Sequence, residues 1–265
     1  MERTPLTLAS DKLLEELSAM LGAADPSTVV MAFDGDGTLW SGDVGEDLFH
    51  AAMRDAFLLA EARPALLAEA ERYGIELAAA QDSNAIASRL MAAYLAGQYP
   101  ERETCAMMCW CFAGHRLADV EALARSVLEH GNLSSRLTPE LGPVLEWARK
   151  HHIRCVLISA SPRAIVEPAG WYWGFEAADV SAATPALRSG LVAAELAAPV
   201  PYAEAKLSAA QSLFGNARWL ATFGDNVFDI EMLQAAELGV AVRPKPKLKL
   251  ELAALGLRVL APVER

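Results

Sequence analysis

The sequence has few cysteines, no long apolar run and a deficit of basic residues. Four cysteines in 265 residues are too few for the disulfide framework of a small secreted scaffold. No stretch approaches the roughly 18 consecutive apolar residues of a membrane-spanning helix, and the first residues contain no signal-peptide core. We therefore expect a cytoplasmic protein with no membrane partner.

The charge balance excludes another class of partner. The chain has 34 acidic and 23 basic side chains, which gives a formal net charge of −11. Such a protein repels a phosphate backbone, so we expect no nucleic-acid partner. An anionic ligand would have to be held locally by cations, by a metal or by backbone amides. An apolar content of 53% is enough for a sizeable core, and the length suggests one or two domains.

Short apolar runs alternate with segments that have helical spacing. Runs typical of buried strands occur at 28–33, 153–158, 218–223, 239–242 and 257–260. Strands separated by helices indicate an α/β fold, a Rossmann-like three-layer core with a mostly parallel sheet. The segment from Val180 to Leu196, with Pro185 and Gly190, is compatible with a hairpin at the sheet edge.

One stretch interrupts this alternation. Between about Gly45 and Arg136, apolar residues recur every three or four positions, and no strand pattern is evident. We therefore predict an all-helical domain at 45–136, inserted just after the first strand into a core formed by 1–44 and 137–265.

Acidic and hydroxyl side chains follow three of the predicted strands, at the edge of the sheet where ligands of α/β proteins bind. The sequences are Asp34-Gly35-Asp36-Gly37-Thr38, Ser159-Ala160-Ser161 and Gly224-Asp225-Asn226. Alone, the first of these would also fit a simple turn. Together, the carboxylates of Asp34, Asp36 and Asp225 predict a Mg²⁺ site, because a hard cation relieves the repulsion between close carboxylates. If the Asp36 side chain turns towards a leaving group, only its backbone carbonyl remains for the metal.

The order of these motifs, with Lys206 on a helix before the third, resembles the haloacid dehalogenase superfamily. The resemblance is to its phosphatase branch with a helical cap of the C1 type, and to the phosphoserine phosphatase-like group in particular. The motifs extend from residue 32 to Asp229. The chain departs from that group at Ala160-Ser161, where glycines are usual, and at Phe228, where asparagine is usual.

The resemblance implies a reaction and the residues that carry it out. Asp34 matches the nucleophile that forms an aspartyl-phosphate intermediate. Asp36 matches the general acid that protonates the leaving alcohol and then activates water. Dehalogenases of the superfamily lack an acid at that place, because a halide needs no proton. The acid at Asp36 therefore favours the hydrolysis of a phosphate ester.

The remaining motif residues match binding and supporting roles. The resemblance implies that the Ser159 hydroxyl, the Ala160 amide and the Lys206 ammonium bind the phosphoryl group. Asp225 matches a Mg²⁺ ligand. Two further residues match supporting positions, Thr38 and Asp229.

The substrate is expected to be a small soluble phosphorylated metabolite, because a helical cap would exclude larger ligands. Glu46 is a candidate for recognising an amine, as in phosphoserine or phosphocholine, and Trp40 could add a cation–π contact. Each residue has a simpler interpretation: Glu46 as an acid in the first turn of a helix, and Trp40 as part of the core.

Two other groups of residues could be mistaken for sites. Cys105, Cys109 and Cys111 fit no zinc spacing, and we interpret them as buried apolar residues, although their role stays open. The basic run from Arg243 to Lys249 is interpreted as a solvated connector between a strand and a helix.

The sequence leaves two alternative functions open. A phosphotransferase or mutase would use the same aspartyl intermediate and pass the phosphoryl group to a second alcohol. A non-catalytic binding protein could have the same fold, although every motif position retains a chemically competent residue. The oligomeric state is open as well.

Overall fold

The fold is taken from a computed structural model, which describes residues 5–78 and 82–263. The strands are β1 (Leu6–Leu8), β2 (Val29–Asp34), β3 (Arg154–Pro162), β4 (Val180–Ala183), β5 (Pro185–Arg188), β6 (Leu191–Leu196), β7 (Arg218–Gly224), β8 (Leu238–Val242) and β9 (Arg258–Leu260). The helices are α1 (Ser10–Leu21), α2 (Val44–Arg54), α3 (Arg63–Arg72), α4 (Ser83–Leu95), α5 (Glu101–Trp110), α6 (Leu117–His130), α7 (Leu133–Arg136), α8 (Gly142–Lys150), α9 (Arg163–Trp171), α10 (Glu204–Phe214), α11 (Ile230–Ala235) and α12 (Pro246–Leu255). Within the described ranges, none of these helices has the length and apolar character needed to cross a bilayer.

Seven strands form one sheet in the order β1-β9-β8-β7-β2-β3-β4, and all its pairings are parallel. β2 lies inside the sheet and is buried along its whole length, because helices cover both faces. From β2 the chain continues to β3 and β4 on one side, and later to β7, β8 and β9 on the other. The predicted α/β core with a mostly parallel sheet is confirmed.

Alternate side chains of β2 face opposite layers of helices. Phe33 packs in the same core cluster as Leu17 of α1. Ala32 faces the other layer, with Ala210 of α10 and Met232 of α11. The sheet therefore lies between two helical layers, as the sequence pattern indicated.

The run of helices α2 to α7 occupies residues 44–136, where the described residues form helices and turns but no strand. The sequence predicted these helices directly after the first strand. They follow β2, which is the second strand of the chain because the short strand β1 precedes it. Phe49 of α2 and Phe112 belong to the same hydrophobic cluster as Phe33 of the sheet. The division into two domains at 45 and 136 stays a prediction.

Two elements differ from the sequence-based expectation. β1 was not anticipated, because a strand of three half-exposed or exposed residues shows no usable alternation. The segment 180–196 is not one hairpin at the sheet edge. β4 joins the edge parallel to β3, while β5 and β6 form a separate antiparallel pair. Ser189 and Gly190, both with positive φ, make the two-residue turn that such a hairpin favours.

The buried aromatic pair under the centre of the sheet gives a stability prediction. Phe33 is fully buried and stacks on Phe223 with ring centroids 4.5 Å apart. We expect Phe33→Ala to lower the free energy of unfolding by about 3 kcal/mol or more, through lost burial and a cavity. Leu250→Ala, at a side chain that is 81% exposed, should change it by less than about 0.5 kcal/mol. Urea unfolding of both variants measures this, and equal midpoints would contradict it.

Candidate functional site

Three neighbouring strands bring the predicted residues to one edge of the sheet. β2 ends at Asp34, β3 carries Ser159, and Asp225 follows β7 directly. Because the strand order reverses between β2 and β7, this edge is the place where α/β folds form a crevice. A cavity lies at this edge, and the predicted residues that line it are Asp34, Asp36, Ser159, Ala160, Lys206, Asp225 and Asp229.

Asp34 lies at the bottom of the cavity with both carboxylate oxygens engaged. The Lys206 ammonium lies 2.5 Å from Oδ1, and the Thr38 hydroxyl donates to Oδ2 at 2.9 Å. Burial and the nearby Asp229 raise the pKa of Asp34, and Lys206 opposes that shift. The Lys206 ammonium is also buried, which lowers its pKa. The carboxylates of Asp229 and Asp34 more than offset this, so the pKa of Lys206 lies above its ordinary value.

The Asp36 carboxylate is held by three donors. The Trp40 indole N–H and the Val44 amide donate to its Oδ1 at 2.8 and 2.7 Å, and the Ser161 hydroxyl donates to Oδ2 at 2.7 Å. Burial, followed by the charge of Asp43, raises the pKa of Asp36 to about 7 against these donors. A carboxyl group that titrates near neutrality can both give and accept a proton.

Asp229 fixes the loop after β7. Its Oδ2 accepts hydrogen bonds from the amides of Asp225 (3.1 Å) and Asn226 (3.0 Å), and its Oδ1 lies 2.5 Å from the Lys206 ammonium. It thereby positions both the loop and the lysine. Burial, with the charges of Asp34 and Asp229, raises the pKa of Asp225, and Lys245 opposes that shift.

The carboxylates of Asp34, Asp225 and Asp229 fit a divalent cation. Each is buried, and they offer oxygen atoms within 4.8 Å of one another. Gly37 makes the close approach possible. Its φ is +83°, and a Cβ there would lie 2.0 Å from Oδ2 of Asp225. Asp36 was predicted as a ligand too, but its side chain is bound elsewhere, which leaves its backbone carbonyl for that role.

β3 supplies a hydroxyl that is oriented by a backbone amide two residues further along the chain. Ser159 is buried, and its Oγ accepts a hydrogen bond from the Ser161 amide at 3.1 Å. The Ser159 O–H is therefore available as a donor towards the cavity. Ser161, where the resembled group has glycine, in turn contacts Asp36.

The two candidates for substrate recognition do not line this cavity. Trp40 is fully buried, and its indole N–H is bound to Asp36, which agrees with the interpretation of Trp40 as part of the core. Glu46 is half-buried in the first turn of α2, where its amide donates to the Asp43 carboxylate at 2.8 Å. Asp43 itself lines the cavity.

Four lining residues were missed from the sequence: Asp43, Glu101, Tyr202 and Lys245. Asp43 caps the N-terminus of α2, and its residue type in the sequence indicates a helix start but not a cavity. Lys245 is at the carboxyl end of β8, so the strand-end rule that found Asp225 could have found it. Its ammonium lies 3.2 Å from Oδ2 of Asp225, and the basic run is therefore not merely a solvated connector.

The three cysteines of the helical segment pack as apolar residues. Cys109 and Cys111 are buried, and burial raises the pKa of both thiols. Cys105 is half-buried at the cavity wall, and burial raises its pKa as well. Among the residues that the structure describes, the carboxylate cluster that could hold a metal contains none of them.

Comparison with known proteins agrees with this geometry. The family model of the haloacid dehalogenase-like hydrolases matches residues 31–234. No curated protein sequence matches the chain. Among solved structures, a protein of unknown function from Bordetella pertussis Tohama I is 20% identical with a TM-score of 0.66, over 88% of this chain and 98% of that one.

Two further similar structures are phosphoserine phosphatases by name. A probable phosphoserine phosphatase from Vibrio cholerae is 13% identical with a TM-score of 0.56, over 96% of this chain and 68% of that one. A phospho-aspartyl intermediate analogue of phosphoserine phosphatase is 14% identical with a TM-score of 0.51, over 87% and 91%. At these identities the likeness shows the fold. The chain belongs to the haloacid dehalogenase-like hydrolases.

Proposed function

We propose that the protein is a Mg²⁺-dependent phosphomonoester hydrolase that acts on a small phosphorylated metabolite through an aspartyl-phosphate at Asp34. One observation carries the proposal. Asp34 is buried against Lys206 beside two more carboxylates, while Asp36 stands next to it with a pKa of about 7. This set offers a nucleophile, a proton carrier and charge neutralisation, which are what in-line phosphoryl transfer needs.

The proposed reaction has two steps. In the first, a carboxylate oxygen of Asp34 attacks phosphorus, the bond to the leaving oxygen breaks, and Asp36 gives that oxygen a proton. In the second, Asp36 accepts a proton from a water molecule that attacks the same phosphorus, and the bond to Asp34 breaks. Phosphate leaves, and both aspartates return to their starting states. Lys206 and the Ser159 hydroxyl would neutralise and orient the phosphoryl oxygens in both steps.

The carboxylates of Asp34 and Asp225, with the Asp36 carbonyl, would hold Mg²⁺, and Asp229 would support them. When bound, the ion supplies positive charge to the phosphoryl oxygens and keeps Asp34 ionised. The observations that support this are the oxygen-only donor set and the burial of the carboxylates, which raises the pKa values of Asp34 and Asp225.

The rest of the cavity favours a substrate with a cationic group. Asp43 and Glu101 line it, and burial is the largest cause that raises their pKa values, to about 6 for Asp43. An ammonium group would relieve that unfavourable burial. The rings of Tyr202 and Phe228 also line the cavity and could contact such a cation. Asp43 therefore replaces Trp40 as the main candidate beside Glu46.

The nucleophile gives the direct test. We expect Asp34→Asn to lower turnover of an aryl phosphate with Mg²⁺ by about a thousandfold or more, because an amide cannot attack phosphorus. Asp55→Asn, at an exposed acid outside the cavity, should retain wild-type turnover. Near-wild-type activity of Asp34→Asn, with an unchanged circular dichroism spectrum, would contradict the mechanism. In the wild type, transfer to added glycerol in preference to water would instead indicate a phosphotransferase.

The turn at Gly37 tests the metal site. We expect Gly37→Ala to weaken Mg²⁺ binding about tenfold or more, because the new Cβ would displace the Asp225 carboxylate. Gly97→Ala is the matched control: its φ is +73°, but nothing lies within 4 Å of its Cβ position. The control should lose about 1 kcal/mol of stability and retain its metal affinity. Isothermal titration of Mg²⁺ into both variants measures the two affinities. Equal affinities would contradict a Mg²⁺ site at Asp225.

The charge at Asp43 tests substrate recognition. Asp43→Asn keeps a good helix cap but removes the charge. We expect kcat/KM for phosphocholine to fall about tenfold, and kcat/KM for its uncharged isostere 3,3-dimethylbutyl phosphate to change less than about twofold. Glu46→Gln is measured in parallel. If only Glu46→Gln lowers kcat/KM for phosphocholine selectively, Glu46 and not Asp43 recognises the cationic group. Equal losses of kcat/KM on both substrates would contradict a site for a cationic group.

A further inference from the structure

The segment after β8 is built to hold one lysine in place. Arg243 has a φ of +45°, and its guanidinium donates to both carboxylate oxygens of the buried Glu140, at 3.0 and 2.8 Å. Pro244 and Pro246 flank Lys245, and each proline ring fixes its own φ. The lysine is therefore presented from a turn that has little freedom to rearrange.

Lys245 contacts Asp225 at two points. Its amide donates to the Asp225 carbonyl at 2.7 Å, and its ammonium lies 3.2 Å from the carboxylate Oδ2. The side chain is 51% exposed, and it lines the cavity together with Asp34 and Lys206. The hydrolysis steps proposed above do not use it. Its contacts are with a carboxylate that would hold the metal.

A count of charges shows what this lysine changes. In the fully ionised state that binds a cation, the carboxylates of Asp34, Asp225 and Asp229 face two ammonium groups, Lys206 and Lys245, so the cluster carries one net negative charge before the metal is added. Addition of Mg²⁺ leaves one net positive charge, which attracts a phosphate dianion. Without Lys245 the loaded cluster would be neutral. The other acids of the cavity wall are Asp36, Asp43 and Glu101, and they add repulsion that the phosphate must overcome.

We infer that Lys245 is a positioning residue that holds Asp225 and makes the Mg²⁺-loaded cluster attractive to phosphate, at a cost in Mg²⁺ affinity. This inference rests on the proposed function. The same positive charge acts in opposite directions on the two ligands, because it repels the cation and attracts the anion. A residue that served only the packing of the loop would affect both ligands in the same direction.

The experiment uses the full chain and two simple probes. Isothermal titration measures Mg²⁺ binding to metal-free protein, and then inorganic phosphate binding at saturating Mg²⁺. For Lys245→Met we expect Mg²⁺ to bind about threefold more tightly and phosphate about tenfold more weakly. Both changes in affinity are modest because solvent screens the charge of the half-exposed lysine. Lys245→Arg keeps the charge and should bind phosphate within about threefold of the wild type. Lys249→Met, an exposed position of α12 outside the cavity lining, should match the wild type for both ligands.

The outcomes separate this inference from the proposed function. If the wild type binds Mg²⁺ and phosphate, but Lys245→Met leaves phosphate affinity unchanged or weakens both ligands, the role of Lys245 is wrong and the phosphatase proposal stands. A wild type that binds neither Mg²⁺ nor phosphate would overturn the proposed function itself. Opposite changes in the two affinities, absent from Lys249→Met, support the inference.

Discussion

The site depends on the burial of three carboxylates within 4.8 Å of one another, at the edge of the sheet where β2 and β7 end. Carboxylates that are buried so close together repel one another and lose hydration, so they require positive charge. Lys206 supplies part of it through contacts with both Asp34 and Asp229. A divalent cation would supply the rest. In the proposed reaction, the negative charge of a phosphate ester would be balanced by Lys206 and the bound cation.

The fold keeps this cluster in place by means of short backbone connections. β2 is buried along its length and cannot shift without exposing apolar side chains, so Asp34 has a fixed position. Gly37 lets the following loop pass against Asp225 where any side chain would collide. Asp229 binds two amides of the loop after β7 and the Lys206 ammonium at once. Three donors hold the Asp36 carboxylate outside the cluster of Asp34, Asp225 and Asp229.

Much of this arrangement could be predicted from the sequence, because acids and hydroxyls that follow buried parallel strands must meet at one edge. Asp34, Ser159 and Asp225 line a common cavity for that reason, and Lys206, which the family resemblance implied, reaches the same cavity from α10. The residues that could not be placed are those whose position depends on packing. For Trp40 the sequence left a substrate contact and a place in the core open, and packing decides between them: the ring is fully buried and its indole N–H binds Asp36. Glu101 carries no local signal, since only the packing of α5 over the sheet brings it to the cavity.

Chemical trapping of the proposed aspartyl-phosphate is the decisive test of the role of Asp34. The Asp36→Asn variant, given an aryl phosphate and Mg²⁺ and then quenched with borohydride, should yield a peptide in which Asp34 has been reduced to homoserine. We expect this modification at Asp34, and we expect it to be absent when Mg²⁺ is removed by EDTA. Wild-type turnover without any trapped residue in the variant, or reduction at a different carboxylate, would contradict it.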